Sequence, residues 1–216
     1  IETAGVLSHY NFAATLVYAA DSGEEQGLYG GKVIAQYAVD HGWKVEADLN
    51  NDIIGSPRGG HGQDDPHRVR VFSEGTKSNE TLEQATYRRY HGGEVDSPSR
   101  SIARYMDTLA DRYLHGFHVR MVYRTDRYGR GGDQTEFLAP GFPAVRVTAS
   151  HEDYTHQRQD IHTETGVASG GPIPPVDLHS LAKSTRPNAT PLAEPPPTPA
   201  PTPASRHQPT DADRAE

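Results

Sequence analysis

Two adjacent acids in the run Ser22-Gly23-Glu24-Glu25-Gln26-Gly27 are the residues of this chain best placed to do chemistry. Carboxylates one residue apart in a turn point in different directions, so one can hold a cation while its neighbour faces a substrate as proton acceptor. An isolated acidic pair at a helix start does no more than complement the helix dipole, so the pair gains meaning only from the rest of the chain. A third acid, Asp52, follows in Asn50-Asn51-Asp52-Ile53-Ile54-Gly55, and an imidazole, His156, in Tyr154-Thr155-His156-Gln157-Arg158-Gln159-Asp160. Two carboxylates and one imidazole make a zinc ligand set, with Glu24 left over as a base.

The flanking elements must bring these residues together. Ala14 to Ala20 reads as a buried strand that ends just before the acidic pair. Leu28, Val33, Ile34, Tyr37 and Ala38 then fall at helical spacing, Gly42 closes the helix, and a second apolar strand runs from near Lys44 to Asp52. Strand-helix-strand units place their loops at the carboxyl ends of parallel strands, where open α/β sheets bind ligands. Further on, Arg68 to Phe72 reads as a strand, and Ser97-Pro98 opens a helix with a capping hydroxyl and a proline in the first turn. Its apolar stripe is Ile102, Met106, Leu109, Ala110 and Tyr113, which makes it scaffold. The strand Val119 to Tyr123 delivers a glycine-rich loop ending at Asp133, a short helix surrounds Phe137, and the strand Ala144 to Ser150 precedes His156. The loop lacks both the Gly-Lys-Ser/Thr ending of a phosphate-binding loop and the spacing of a dinucleotide fingerprint.

The ordered series GEEQGLYGG, NNDIIG, GRGGDQTEFL, GFPAVRVT and YTHQRQD resembles the co-catalytic di-zinc exopeptidases of clan MH, which include the bacterial leucyl aminopeptidases, over about residues 1 to 166. The resemblance implies a three-layer α/β/α sandwich with a mixed, mostly parallel sheet of the phosphorylase/hydrolase-like kind. It implies two zinc ions, a peptide substrate, and a secreted or periplasmic protein. By position it makes Glu24 the general base, Glu25 a ligand of one zinc, Asp52 a ligand of the other, and His156 the residue that completes the ligands of the zinc held by Glu25. Asp133 is then a supporting residue beside the substrate pocket, with Gln134 where the family usually has His, and Asp160 orients the imidazole. Tyr128 or Arg130 is a candidate donor to an oxyanion, set against a purely structural Arg-Asp cluster. The family's further His and its bridging Asp lie upstream of the helix that opens this chain at Ile1. An N-terminally incomplete enzyme is therefore expected, with zinc weak or absent in this chain and hydrolase activity in the parent. His9 and Asp21 are poor substitutes for the two missing ligands, and His61, His67, His151 and His162 sit in polar loops outside the ligand set.

Composition narrows the alternatives. A net charge of -8 disfavours a nucleic-acid surface, and no apolar run approaches the ~20 residues of a membrane helix. The absence of cysteine excludes disulfides and thiolate metal sites. Residues 1–166 read as the catalytic domain, 167–194 as a linker with a short helix, and the Pro-, Thr- and Ala-rich 195–216 as a disordered tail. The oligomeric state is not legible. Two rivals to a peptidase remain: an acyl transferase of the glutaminyl-cyclase kind, and a non-catalytic domain that keeps the fold without metal.

Overall fold

Alternation along the strands determines the architecture, because successive side chains of a strand leave on opposite faces of the sheet. A computed structural model describes residues 1–93, 96–128, 131–154, 162–164 and 167–169; Arg130, His156 and Asp160 lie outside the described residues, as does everything from 170 onward. In chain order the elements are α1 (Glu2–Leu7), α2 (Tyr29–Asp40), β1 (Asp48–Asn51), β2 (Arg68–Phe72), α3 (Leu82–His91), α4 (Pro98–Tyr113), β3 (His118–Val122), α5 (Gln134–Leu138), β4 (Ala144–Ala149), β5 (His162–Glu164) and β6 (Val167–Ser169). Four strands form one sheet in the order β1-β4-β2-β3, with β1/β4 and β2/β3 parallel and β2/β4 antiparallel. The sheet is therefore mixed and mostly parallel, as expected. The first three residues of the stretch read as linker are β6, which pairs antiparallel with β5.

One face of the sheet is aliphatic. Val69, Val71, Val119, Val145 and Val147 pack on Ala103, Met106 and Ala110 of α4, all of them buried. Burying a side chain of this kind stabilises by about 1.5–3 kcal/mol, so this seam holds α4 on the sheet. The helix starts where its sequence says: the Ser97 hydroxyl accepts the Arg100 backbone N–H at 3.0 Å, with Pro98 in the first turn. The opposite face carries Asn50, Arg70, Phe72, Arg146 and Thr148 in register and is covered by α5, against which α2 packs. Helices on both faces make three layers.

Two expectations need correction. Ala14 to Ala20 joins no strand ladder, and Val17 and Tyr18 are more than half exposed. Apolar β-formers make a strand only when a neighbour offers its backbone, and among the described residues the outer edge of β1 pairs with none. β1 itself begins at Asp48, where its ladder with Ala144 starts, and not near Lys44. Helix α3 left no trace in the sequence pattern because it buries no residue; a Thr81–Gln84 capping box starts it instead. Among the described residues no helix is long and apolar enough to cross a membrane.

Candidate active site

The turn that carries Glu24 and Glu25 is closed by its own backbone. The Glu24 carbonyl accepts from Gly27 and Leu28 at 3.0 and 2.9 Å, and the Gly23 carbonyl from Tyr29 at 3.1 Å, which delivers the chain into α2. Glu24 is half-buried and Glu25 exposed. At the next turn of this segment Gly31 touches Asp133: a Cβ there would stand 2.8 Å from Asp133 Oδ1, so only glycine permits the approach. The helix behind the acidic pair is thereby locked to the loop before α5.

Asp52 leaves the carboxyl end of β1, its N–H donating to the Val147 carbonyl at 3.1 Å. The next residue, Ile53, has φ of 53°, a left-handed conformation that a β-branched side chain rarely takes. Its carbonyl is pinned by the Ala149 N–H at 2.9 Å and the Thr148 hydroxyl at 3.1 Å. Strain held this firmly collects at functional sites. Asp133 is 8% exposed and Gln134 fully buried; the Gln134 amide oxygen accepts from Asn50 at 3.0 Å and its NH2 donates to Asp126. Asp52, Asp133 and Gln134 thus stand together beside the start of α2. Tyr128 does not join them: it is 87% exposed, with the Arg124 guanidinium 4.2 Å from its ring centroid.

Negative charge accumulates on this face. Burial raises the Asp133 carboxyl above its ordinary value, and the charges of Asp21 and Asp52 add to the effect. Asp48 is pushed up to about 7 by burial and then by the charges of Asp21 and Asp133. Oδ1 of Asp133 and Oδ2 of Asp48 are buried without a hydrogen-bond partner. The unfolded Asp48 carboxyl titrates near 3.8, so the folded chain holds this proton more tightly. The resulting stability is fully present below the unfolded value and is lost as pH rises through about 7. Asp48→Asn, neutral at every pH, is expected to flatten that decline; urea denaturation at about pH 5 and about pH 8 checks it, and an undiminished fall in the variant would assign the titration elsewhere.

Sequence reasoning missed the groups that dominate the site. Arg146, fully buried, places Nε 3.2 Å and Nη2 3.1 Å from Asp52 Oδ2, and Nη1 3.0 Å from Asp126 Oδ1. Arg127 reaches Glu152 at 2.8 Å and Asp126 at 3.4 Å, and Arg70 also pairs with Glu152. Burial alone would raise the Glu152 carboxyl, but Arg127, and then Arg70, hold it below its ordinary value. The signal was present: Arg70 and Arg146 each sit between two valines, so alternation sends them to the face opposite the valine core.

The model of peptidase family M28 matches residues 1–168. The chain belongs to peptidase family M28. A "probable zinc metalloprotease" of Leptosphaeria maculans is 41% identical over 192 residues, covering 89% of this M28 chain and 44% of the relative. Proteins of the same description from Pyrenophora tritici-repentis and Pyricularia oryzae are each 42% identical, over 89% and 87% of the chain and 40% and 38% of their own lengths. The chain therefore spans less than half the length of these curated relatives. A crystal structure of Legionella pneumophila LapA aminopeptidase superposes with a TM-score of 0.44 at 18% identity, over 80% of this chain and 35% of that one. Similarity at that level says nothing of substrate.

Membership of M28 implies zinc, and the donors present suit it by type and by charge. Carboxylates at positions 25 and 52 are oxygen donors that zinc accepts, and Oδ1 of Asp133, buried without a hydrogen-bond partner, is a further oxygen near enough to Asp52 to feel its charge. Among the described residues no three His, Cys, Asp or Glu side chains form a metal-holding group by themselves.

Proposed function

We propose that this chain supplies the base and part of the zinc-binding set of an exopeptidase, most simply an aminopeptidase. What supports it above all is the packing of Asp133 on Gly31, which ties the segment following Glu24 and Glu25 to the sheet edge where Asp52 emerges. Glu25, Asp52 and His156 would hold the metal. When bound, zinc would polarise the scissile carbonyl and make the attacking water more acidic. Glu24, half-buried at the mouth of α2, takes the proton of that water on its carboxylate as the water attacks the carbonyl carbon, then returns it to the nitrogen of the departing amine. Gln134 and Asn50, joined through their amides, fix the loop beside the pocket, and Asp133 closes it against α2.

A product assay combined with metal analysis tests this. The expected result is release of free amino acid from unblocked peptides, together with about two zinc per active chain. Cyclised product from Gln-initiated peptides would reassign the site to acyl transfer. Absence of both metal and turnover in the longer protein would make it a non-catalytic relative.

A further inference from the structure

Three carboxylates and three guanidinium groups close into one buried lattice on the α5 side of the sheet. Arg70 of β2 pairs with Glu152 Oε1; Arg127 Nη1 takes Glu152 Oε2 at 2.8 Å; Arg127 Nε lies 3.4 Å from Asp126 Oδ1 and Nη2 lies 3.8 Å from Asp52 Oδ2. Arg146 completes it by reaching Asp126 and Asp52 together. The charges balance three against three, and five of the six side chains are at most 11% exposed, Arg70 reaching 16%. Fork-shaped guanidinium groups bridging two acids at once give a geometry that a flexible ammonium cannot reproduce.

The ends of the lattice lie at telling places. One end is Asp52, at the carboxyl end of β1. The other is Glu152, three residues past β4 and four before His156 in the chain. Both arginines take the same oxygen of Asp52, Oδ2, so the carboxylate cannot turn without breaking two ion pairs in a buried setting. We propose that Arg127 and Arg146 are positioning residues that set the direction of the Asp52 carboxylate. The Asp52 carboxylate is then held in one direction before any metal arrives. This rests on Asp52 being a zinc ligand.

Zinc titrated into the intact protein against a fluorescent chelator, with circular dichroism as the fold control, separates positioning from mere stabilisation. Arg146→Lys and Arg127→Lys keep the charge without the fork, and Glu152→Gln releases Arg127 without touching Asp52. Each folded variant is expected to bind zinc about 10- to 100-fold more weakly. Should Arg146→Lys fail to fold, Arg127→Lys and Glu152→Gln carry the test. Asp52→Asn is the reference. If it loses zinc while the folded lattice variants bind as tightly as the unaltered chain, the positioning role is overturned and the ligand role stands. If Asp52→Asn binds zinc undiminished, or the unaltered intact protein takes up none, the ligand role fails and the positioning role with it.

Discussion

Glu24→Gln in the intact protein is expected to lower kcat by about 10²- to 10⁴-fold while zinc content stays unchanged. Glutamine keeps the size and one acceptor oxygen of the glutamate but cannot take up a proton at neutral pH, so substrate and metal still bind while proton transfer fails. The neighbouring residue gives the contrast: Glu25→Gln is expected to lose zinc first and turnover as a consequence. Steady-state kinetics beside metal analysis distinguishes the two, since loss of the base lowers kcat and kcat/KM alike. Hydrolysis by Glu24→Gln at the unaltered rate would remove Glu24 from the proton-transfer role. The assignment draws on a difference in burial: Glu24 is half-buried and Glu25 exposed.

Arg146→Met is expected to cost about 3–5 kcal/mol of stability, read as a lower urea midpoint. The methionine fills much of the volume, so packing loss is a minor part. What remains is Asp126, 6% exposed, and Asp52, stripped of their closest shared counter-charge. The Phe72 ring, with the guanidinium carbon of Arg146 5.7 Å from its centroid, loses a cation as well. Arg127 compensates only in part, because it stands 3.4 Å from Asp126 and 3.8 Å from Asp52 while already serving Glu152 at 2.8 Å. Adding Asp126→Asn to Arg146→Met is expected to restore part of the loss, since it removes one of the two carboxylates that lost that guanidinium. A midpoint shift equivalent to less than about 1 kcal/mol for Arg146→Met would show that the lattice contributes little to stability.

Much of the scaffold was legible in the chain alone. The Ser97-Pro98 start of α4, its stripe through Met106 and Ala110, helix α2 up to its Gly42 stop, and the strands Arg68–Phe72 and Ala144–Ala149 all follow from local periodicity and capping, which short-range backbone physics enforces. The candidates Glu24, Glu25, Asp52, Asp133 and Gln134 were named from the resemblance of the ordered motifs, and their roles await the tests above. Tertiary contacts decided the rest. Ala14 to Ala20 has the composition of a strand yet joins none, because pairing needs a neighbour that composition cannot supply. Arg146 meets Asp52 across 94 positions of sequence, and Arg70 meets Glu152 across 82. Side-chain alternation reveals that such arginines share a face, but a buried charge is tolerated only beside its counter-charge, and which acid arrives there is settled when the loops fold over the sheet.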